Sequence, residues 1–362
     1  MRIRLEPRGE RSPLWVYGSP LLALLLTLAT AAVIFAALGK DPGASLYTFF
    51  VAPLASPTSR PELLVKAAPL VLIAVGLSLG FRANVWNIGA EGQYTLGALA
   101  GGGLALAFYD STSVFLFPAM MVAGVIGGMA WAAIPAFLRT RFNANEILTS
   151  LMLTYVAQLL LTYLVTGPWR DPEGYGFPQS RMFSDAATVP RLLSGTRVHL
   201  GVFVALLVVG LGWAVLAKSL VGFQLRVVGQ APRAARYAGF SEKRMIWLSL
   251  LIGGGLAGLA GLFEVSGPVG QLTPQISPGY GFTAIIVAFL GRLHPVGVLF
   301  AGLLLALSYL GGEAAQIELG MPNAVTGIFQ GILLFFLLAC DILILFRIRI
   351  GRRVAVPAAT PS

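Results

Sequence analysis

The chain reads as an all-α polytopic membrane protein with about ten transmembrane helices, and three observations predict it. Hydrophobic residues make up 57% of the 362 positions and charged residues 11%, where a soluble domain carries roughly 25% charged. The apolar residues come in runs close to the roughly 17–25 that cross a bilayer as a helix. Between those runs, basic and near-neutral connections alternate, the pattern expected when successive loops lie on opposite sides of a membrane.

Charge and composition narrow the classes further. Lys+Arg 25 against Asp+Glu 15 gives +10. In a membrane chain that excess marks cytoplasmic loops and contact with anionic membrane lipid, so nucleic acid is not an expected partner. Cys340 is the single cysteine, which excludes an intrachain disulfide. With it, His199 and His294 supply too few ligands for a soft metal. No cofactor is expected.

Taken in order, residues 1–19 carry Arg2, Arg4, Arg8 and Arg11 before an apolar run over 21–38. That run exceeds a usual signal-peptide core, so it reads as a retained first helix with its N-terminus in the cytoplasm. A mixed-charge loop over 39–61 precedes the span 63–79. The polar stretch 81–93 interrupts the hydrophobicity, and 94–108 resumes it with many glycines. The span 114–138 ends at Arg139 and Arg141. Asn145 and Glu146 then supply a cap and an N-terminal anion for the helix 147–165.

A near-neutral loop over 167–200 contains Trp169. The span 201–217 leads into a basic island over 218–244, and 245–265 follows. Beyond a Gly/Pro-rich turn, spans 280–290 and 296–310 flank the break 291–295, which holds Arg292. The last span is 324–346, and Arg347, Arg349, Arg352 and Arg353 close the chain. Alternation from a cytoplasmic N-terminus puts every basic connection inside and the loops 39–61 and 167–200 outside. The organisation expected is a basic cytoplasmic N-terminus (1–19), a transmembrane domain (20–346) and a basic cytoplasmic tail (347–362).

Several spans carry small residues four apart: Gly97/Gly101, Gly124/Gly128, Gly254/Gly258 and Ala257/Gly261. Such spacings let helix backbones approach closely in lipid. The entries EGQYTLGALAGG and GYGFTAIIVAFLG also echo each other across the two halves, as duplicated transporter halves do.

Two stretches could carry function. Within the island, Pro232 suits a first helical turn, Arg233 to Ala238 tolerate a helix, and Gly239 suits a left-handed stop. Ser241 can cap the next helix with Glu242 in its first turn. A helix of about seven residues does not hold in water alone. It must lie on this chain's own membrane helices or on a separate cytoplasmic protein.

The second stretch, 81–93, sets Asn84, Asn87, Glu91 and Gln93 beside Gly89 and Gly92. Either it is a discontinuous helix that lends polar groups to a translocation pathway, or it is an ordinary turn with Asn87 or Gly89 as a cap. Trp86 is either a stacking platform for a ring or an interfacial anchor. Glu146, Glu264 and Asp341 fall near span ends, as interfacial or capping carboxylates do.

The sequence contains no Gly-x-x-x-x-Gly-Lys-Ser/Thr, and no extramembrane segment is long enough for an ATPase domain. Charges within spans are scarce, which argues against a proton- or sodium-coupled carrier. No cluster of His, Asp or Glu inside the spans suggests a membrane-embedded enzyme.

The run GLSLGFRANVWNIGAEGQYTLGA at 76–98 resembles the permease subunits of bacterial ABC importers, the broad binding-protein-dependent inner-membrane family of the ribose and branched-chain amino-acid permeases. It is most similar to the nucleoside (simple-sugar) branch. NEILTSLMLTYVA at 145–157, GPWRDP at 167–172, GQAPRAARYAGFSEKR at 229–244 and GYGFTAIIVAFLGRLHPVGVLFAGLL at 279–304 extend the likeness. One departure is Thr154, where the nucleoside branch generally has Asn.

The resemblance implies a type II-like, ribose permease-like architecture in the bacterial inner membrane. It implies a pathway for a nucleoside or related simple sugar, with both termini cytoplasmic and ATP hydrolysis on other subunits. The partners implied are two cytoplasmic ABC ATPase subunits, a second homologous but different permease, and a periplasmic or lipoprotein solute-binding protein. The family's coupling helix falls on Ala231, Pro232, Arg233, Ala235, Arg236, Tyr237, Ala238 and Gly239. Candidate pathway residues are Asn84, Trp86, Asn87, Glu91, Gln93 and Thr154. The alternative is a self-contained secondary transporter or channel for a small polar solute, with 218–244 a lipid-contacting loop.

Overall fold

Helices form where the apolar runs predict them, and their bounds shift where caps extend them. The computed structural model describes residues 2–7, 13–193, 195–322 and 324–351. Strand β1 (Arg2–Pro7) precedes α1 (Pro13–Ala37), α2 (Pro42–Leu46), α3 (Ala52–Ala55), α4 (Ser59–Arg82) and α5 (Ala90–Ala107). Then come α6 (Leu116–Phe142), α7 (Glu146–Thr166), α8 (Leu200–Lys218), α9 (Leu220–Gln230) and α10 (Pro232–Tyr237). The chain continues through α11 (Glu242–Glu264), α12 (Tyr280–Leu290), α13 (Pro295–Leu319), α14 (Ala324–Leu345) and β2 (Phe346–Gly351).

The described residues fall into two compact units. In the smaller one, 1–47 with 316–362, α1 lies along α14 and the Ser19 hydroxyl donates to Asp341 at 2.9 Å. There β1 pairs antiparallel with β2, so the tail expected from residue 347 begins as a strand. Arg8, Arg11, Arg352 and Arg353 lie outside the described residues.

The larger unit, 48–315, is organised on α4 and α11, whose sides are nearly all covered. The small-residue spacings converge on one seam among α5, α6 and α11. A Cβ on Gly97 would collide with the Gly258 backbone, one on Gly128 with Gly254 and Gly258, and one on Gly261 with Tyr94. In lipid, where apolar burial gives helices no drive to associate, this close backbone approach is what holds them.

Eight helices among the described residues are long and apolar enough to span a membrane, against about ten expected. The two others are α5, diluted by glycines, and α12. The 11 residues of α12 rise about 16 Å, roughly half a bilayer core. The island holds more helix than expected, since α9 precedes the short α10. The loop 39–61 holds α2, α3 and a π-helical turn over Tyr47–Val51. The span expected over 296–310 is longer, since α13 runs on to Leu319.

Packing sorts the loops by end. At one end Leu79, Ala136, Leu225, Ala235 and Met245 share a cluster, and Arg82 Nε donates to the Leu293 carbonyl at 3.1 Å. Trp247 Nε1 reaches Thr140 Oγ1 at 3.1 Å. The basic connections at 139–141, 218–244 and 292 therefore gather together. At the other end the 167–199 loop folds back on the chain that follows α11. Val189 N–H donates to the Ser266 carbonyl, and Phe183 N–H to that of Gly270, both at 2.9 Å.

Candidate functional site

The polar interruption is a real helix break, narrower than 81–93. The α4 helix stops at Arg82, and Asn84 takes a left-handed φ of 57°, a conformation Asn adopts more readily than most residues. Asn84 is exposed, and its Oδ1 accepts the Trp86 indole N–H at 3.0 Å. Trp86 is half-buried, 5.1 Å from the Phe81 ring and 5.8 Å from that of Phe289.

Beyond it the backbone is held by side chains of α7. Trp86 N–H donates to Glu146 Oε1 and Ile88 N–H to Ser150 Oγ, each at 3.2 Å. Glu146 also pairs with Arg139, so this carboxylate ties α6, α7 and the break together.

Asn87 and Gln93 bond reciprocally. Asn87 Nδ2 donates to Gln93 Oε1 at 2.8 Å, and Gln93 Nε2 donates to Asn87 Oδ1 at 3.1 Å. Asn87 Oδ1 also accepts Gly89 N–H at 3.1 Å, and Gly89 stands at the N-cap of α5. Glu91 accepts the Gly281 N–H at 2.6 Å. Its carboxylate thus sits where α5 and α12 both begin, a favourable place for an anion. Tyr94 and Tyr280 meet edge-on there at 6.2 Å. The two echoing Gly-rich entries are therefore neighbours in space.

Thr154 is buried, its hydroxyl returns to the Ser150 carbonyl at 3.3 Å, and Gly92 lies against it. The break thus brings Asn87, Glu91, Gln93 and Thr154 together in the chain's own interior, each with an intrachain partner. Asn84 faces out.

The basic end is built from α9 and α10. Ser219 Oγ accepts Gly222 N–H at 3.1 Å to start α9, which buries Gly222, Leu225 and Val228. In α10 only Ala235 is buried. Pro232, Arg233, Arg236 and Tyr237 are exposed, as are Ala231 before the helix and Ala238 and Gly239 after it. Tyr237 is 96% exposed. Gly239 has φ +77°, Phe240 N–H closes on the Ala235 carbonyl at 2.9 Å, and Ser241 Oγ caps α11 through Arg244 N–H. Arg236 pairs with Glu242 at 3.1 Å. The short helix is pinned to its own bundle through Ala235, and its remaining surface is exposed.

Three features had no signal in the sequence. A cavity of about 530 Å³ at the opposite end is lined by the pairs Lys66–Glu313 (2.8 Å) and Arg197–Glu62 (3.4 Å) together with Glu264. These residues are scattered over 250 positions of chain, beyond the reach of any local pattern. His199 is buried as the cap of α8, its Nδ1 accepting Gly201 N–H at 3.1 Å. Burial, then the nearby Arg197 charge, lowers its pKa to about 4. Finally, α7 turns Gln158 outward.

Comparison with known proteins gives consistent matches. Residues 60–338 match the family described as branched-chain amino acid transport system, permease component. The glucose ABC transporter permease protein TsgB13 of Haloferax volcanii is 39% identical, covering 97% of this chain and 94% of its own length. The guanosine ABC transporter permease protein NupP of Bacillus subtilis is 31% identical, covering 88% and 91%. The nucleoside ABC transporter permease protein NupB of Lactococcus lactis is 27% identical, covering 88% and 89%.

Proposed function

We propose a solute, an assembly and an orientation from one premise: the chain belongs to the branched-chain amino acid transport system permease-component family, and is a multi-pass permease subunit of an ABC importer in the plasma membrane. The solute is a nucleoside or a related simple sugar. The names of the similar permeases, for glucose, guanosine and nucleosides, support that class.

In the assembly the chain pairs with a second, non-identical permease. Two cytoplasmic ATPase subunits hydrolyse ATP, and a solute-binding protein delivers the solute from outside. The chain itself catalyses no reaction. The basic connections face the cytoplasm, with both termini there, and the 167–200 loop faces out. The transmembrane domain is 20–346, flanked by the 1–19 segment and the 347–362 tail.

Among the site residues, Ala231 to Gly239 form the surface that receives the ATPase. Asn87, Glu91, Gln93 and Thr154 brace the break beside the pathway. Asn84 and Trp86 form its cytoplasmic lip.

The observation that carries this reading is α10, a six-residue helix at the basic end with one buried anchor and an exposed Arg/Tyr surface. A lipid-contacting loop has no need to be pinned that way. The test is to purify the tagged chain with its co-expressed partners and reconstitute it in vesicles. Uptake of labelled guanosine or glucose is expected only with ATP and the binding protein, and a second permease should co-purify. Uptake by this chain alone, indifferent to ATP, would establish the self-contained carrier instead.

A further inference from the structure

Lipid tolerates apolar side chains and excludes unpaired amides. The exposed mid-span faces of α6 (Val122, Ile126) and α8 (Leu207, Leu211) obey that rule. The exposed surface of α7 obeys it at Leu148, Met152, Val156 and Leu159 but is interrupted. Tyr155, Gln158 and Thr162 follow one another there at helical spacings of three and four.

Thr162 is no violation, because its hydroxyl returns to the Gln158 carbonyl at 2.9 Å. Gln158 has no such escape. Its carboxamide offers two donors and an acceptor, is exposed, and has no hydrogen bond among the described residues. Twelve residues into α7, it lies about 18 Å along a helix of about 31 Å, far from either headgroup layer.

We infer that this face of α7 is a wall of the solute pathway and that Gln158 is a specificity-determining contact on it. This rests on the permease reading and adds the surface and the chemistry. A solute rich in hydroxyls and ring heteroatoms sheds water as it passes. A carboxamide that both donates and accepts replaces that water, while the adjacent Tyr155 ring offers a flat face. One turn before Gln158, Thr154 is buried with its hydroxyl on the Ser150 carbonyl, so the departure from Asn lies where α7 packs on its own chain.

The test uses the full assembly with Cys340 replaced by Ala. Cys340 is buried and is the single native cysteine of this chain, so Q158C and L207C then each carry the chain's one thiol, and labelling is read on this chain's band. A charged, membrane-impermeant methanethiosulfonate needs a hydrated thiolate. We expect Q158C to react at least about tenfold faster than L207C. Q158L should lower nucleoside or sugar uptake by roughly tenfold or more with ATPase activity retained, and should flatten discrimination against solutes lacking one hydroxyl. Q158N should restore part of both.

If Q158C is as inert as L207C, the face is sealed by lipid or by a second chain, and the inference is overturned. Unchanged uptake and selectivity in Q158L would overturn the specificity role. The importer reading fails separately, through an unmodified assembly that shows no ATP-driven uptake. A reactive Q158C in that assembly would still establish a water-lined wall.

Discussion

Replacing Tyr237 by Ala tests the docking surface with the least disturbance to the fold. The ring is 96% exposed and α10 is anchored by Ala235 instead, so stability should change by no more than about 0.5 kcal/mol. A tyrosine buries about 150–250 Å² when fully covered. At about 25 cal/mol per Å² that gives a ceiling of about 4–6 kcal/mol.

Ordering costs at an interface reduce the ceiling to the about 2–3 kcal/mol typical of an aromatic hot spot. That corresponds to roughly 30- to 150-fold in Kd for the ATPase. Arg236 is a poorer probe because its reversal also breaks the exposed pair with Glu242, itself worth about 0–1 kcal/mol. The assay titrates labelled ATPase onto the permease in nanodiscs and measures solute moved per ATP hydrolysed. Binding within about twofold of the parent, with normal coupling, would refute the docking role of α10. A variant that fails to insert would refute the claim that Tyr237 is structurally idle.

The break and the outer loop give two further expectations. Asn87→Ala leaves the Gln93 amide buried without its partner, so the melting temperature in detergent should drop by the equivalent of about 1–3 kcal/mol. The double variant Asn87→Leu with Gln93→Leu should recover much of that loss. Lost uptake at an unchanged melting temperature would instead show that these amides serve the solute.

At His199 the folded pKa of about 4 lies below the ordinary 6.5, because burial favours the neutral ring that caps α8. Above pH 6.5 both folded and unfolded states are neutral and the cap is intact. As pH falls from 6.5 to 4 only the unfolded state gains the proton, so stability drops by up to about 3 kcal/mol. Protease cleavage of the 167–199 loop should therefore accelerate over that window, and His199→Asn should level the profile. A level profile in the parent would contradict the buried neutral ring.

What the sequence made legible was local. Asn145 and Ser241 cap helices as their positions predict, with Asn145 Oδ1 taking Ile147 N–H and Ser241 Oγ taking Arg244 N–H. Pro232 opens α10 and Gly239 closes it for reasons contained in a few residues. The small-residue spacings identified the close-packing faces but not their partners, because a spacing says nothing about which helix lies opposite.

Gln158 was hidden because α7 mixes apolar and polar residues on every side, so no periodicity separated an exposed face from a packed one. The Glu146 pairing with Arg139 and Trp86 was hidden for a related reason. A cap and an ion-pair hub have the same local sequence, and only the fold brings residue 86 to residue 146.

The polar groups of the break also bear on where a solute can travel. A helix interrupted at membrane depth leaves free N–H groups and side-chain amides, and these are useful to a solute only if the chain has not already satisfied them. Here Asn87 and Gln93 satisfy each other, Glu91 takes the Gly281 N–H, and Ser150 and Glu146 take those of Ile88 and Trp86. Each of these groups is engaged within the chain, although the Asn87 and Gln93 carboxamides each keep a second N–H. Gln158, by contrast, is exposed at the border of the buried stripe of α7, and its carboxamide has no hydrogen bond among the described residues. An unsatisfied amide at that depth is stable only against water or another polar surface. On the inference drawn above, the route runs along this face of α7 and a single copy supplies one wall of it. The opposite wall is then the role proposed for the second permease.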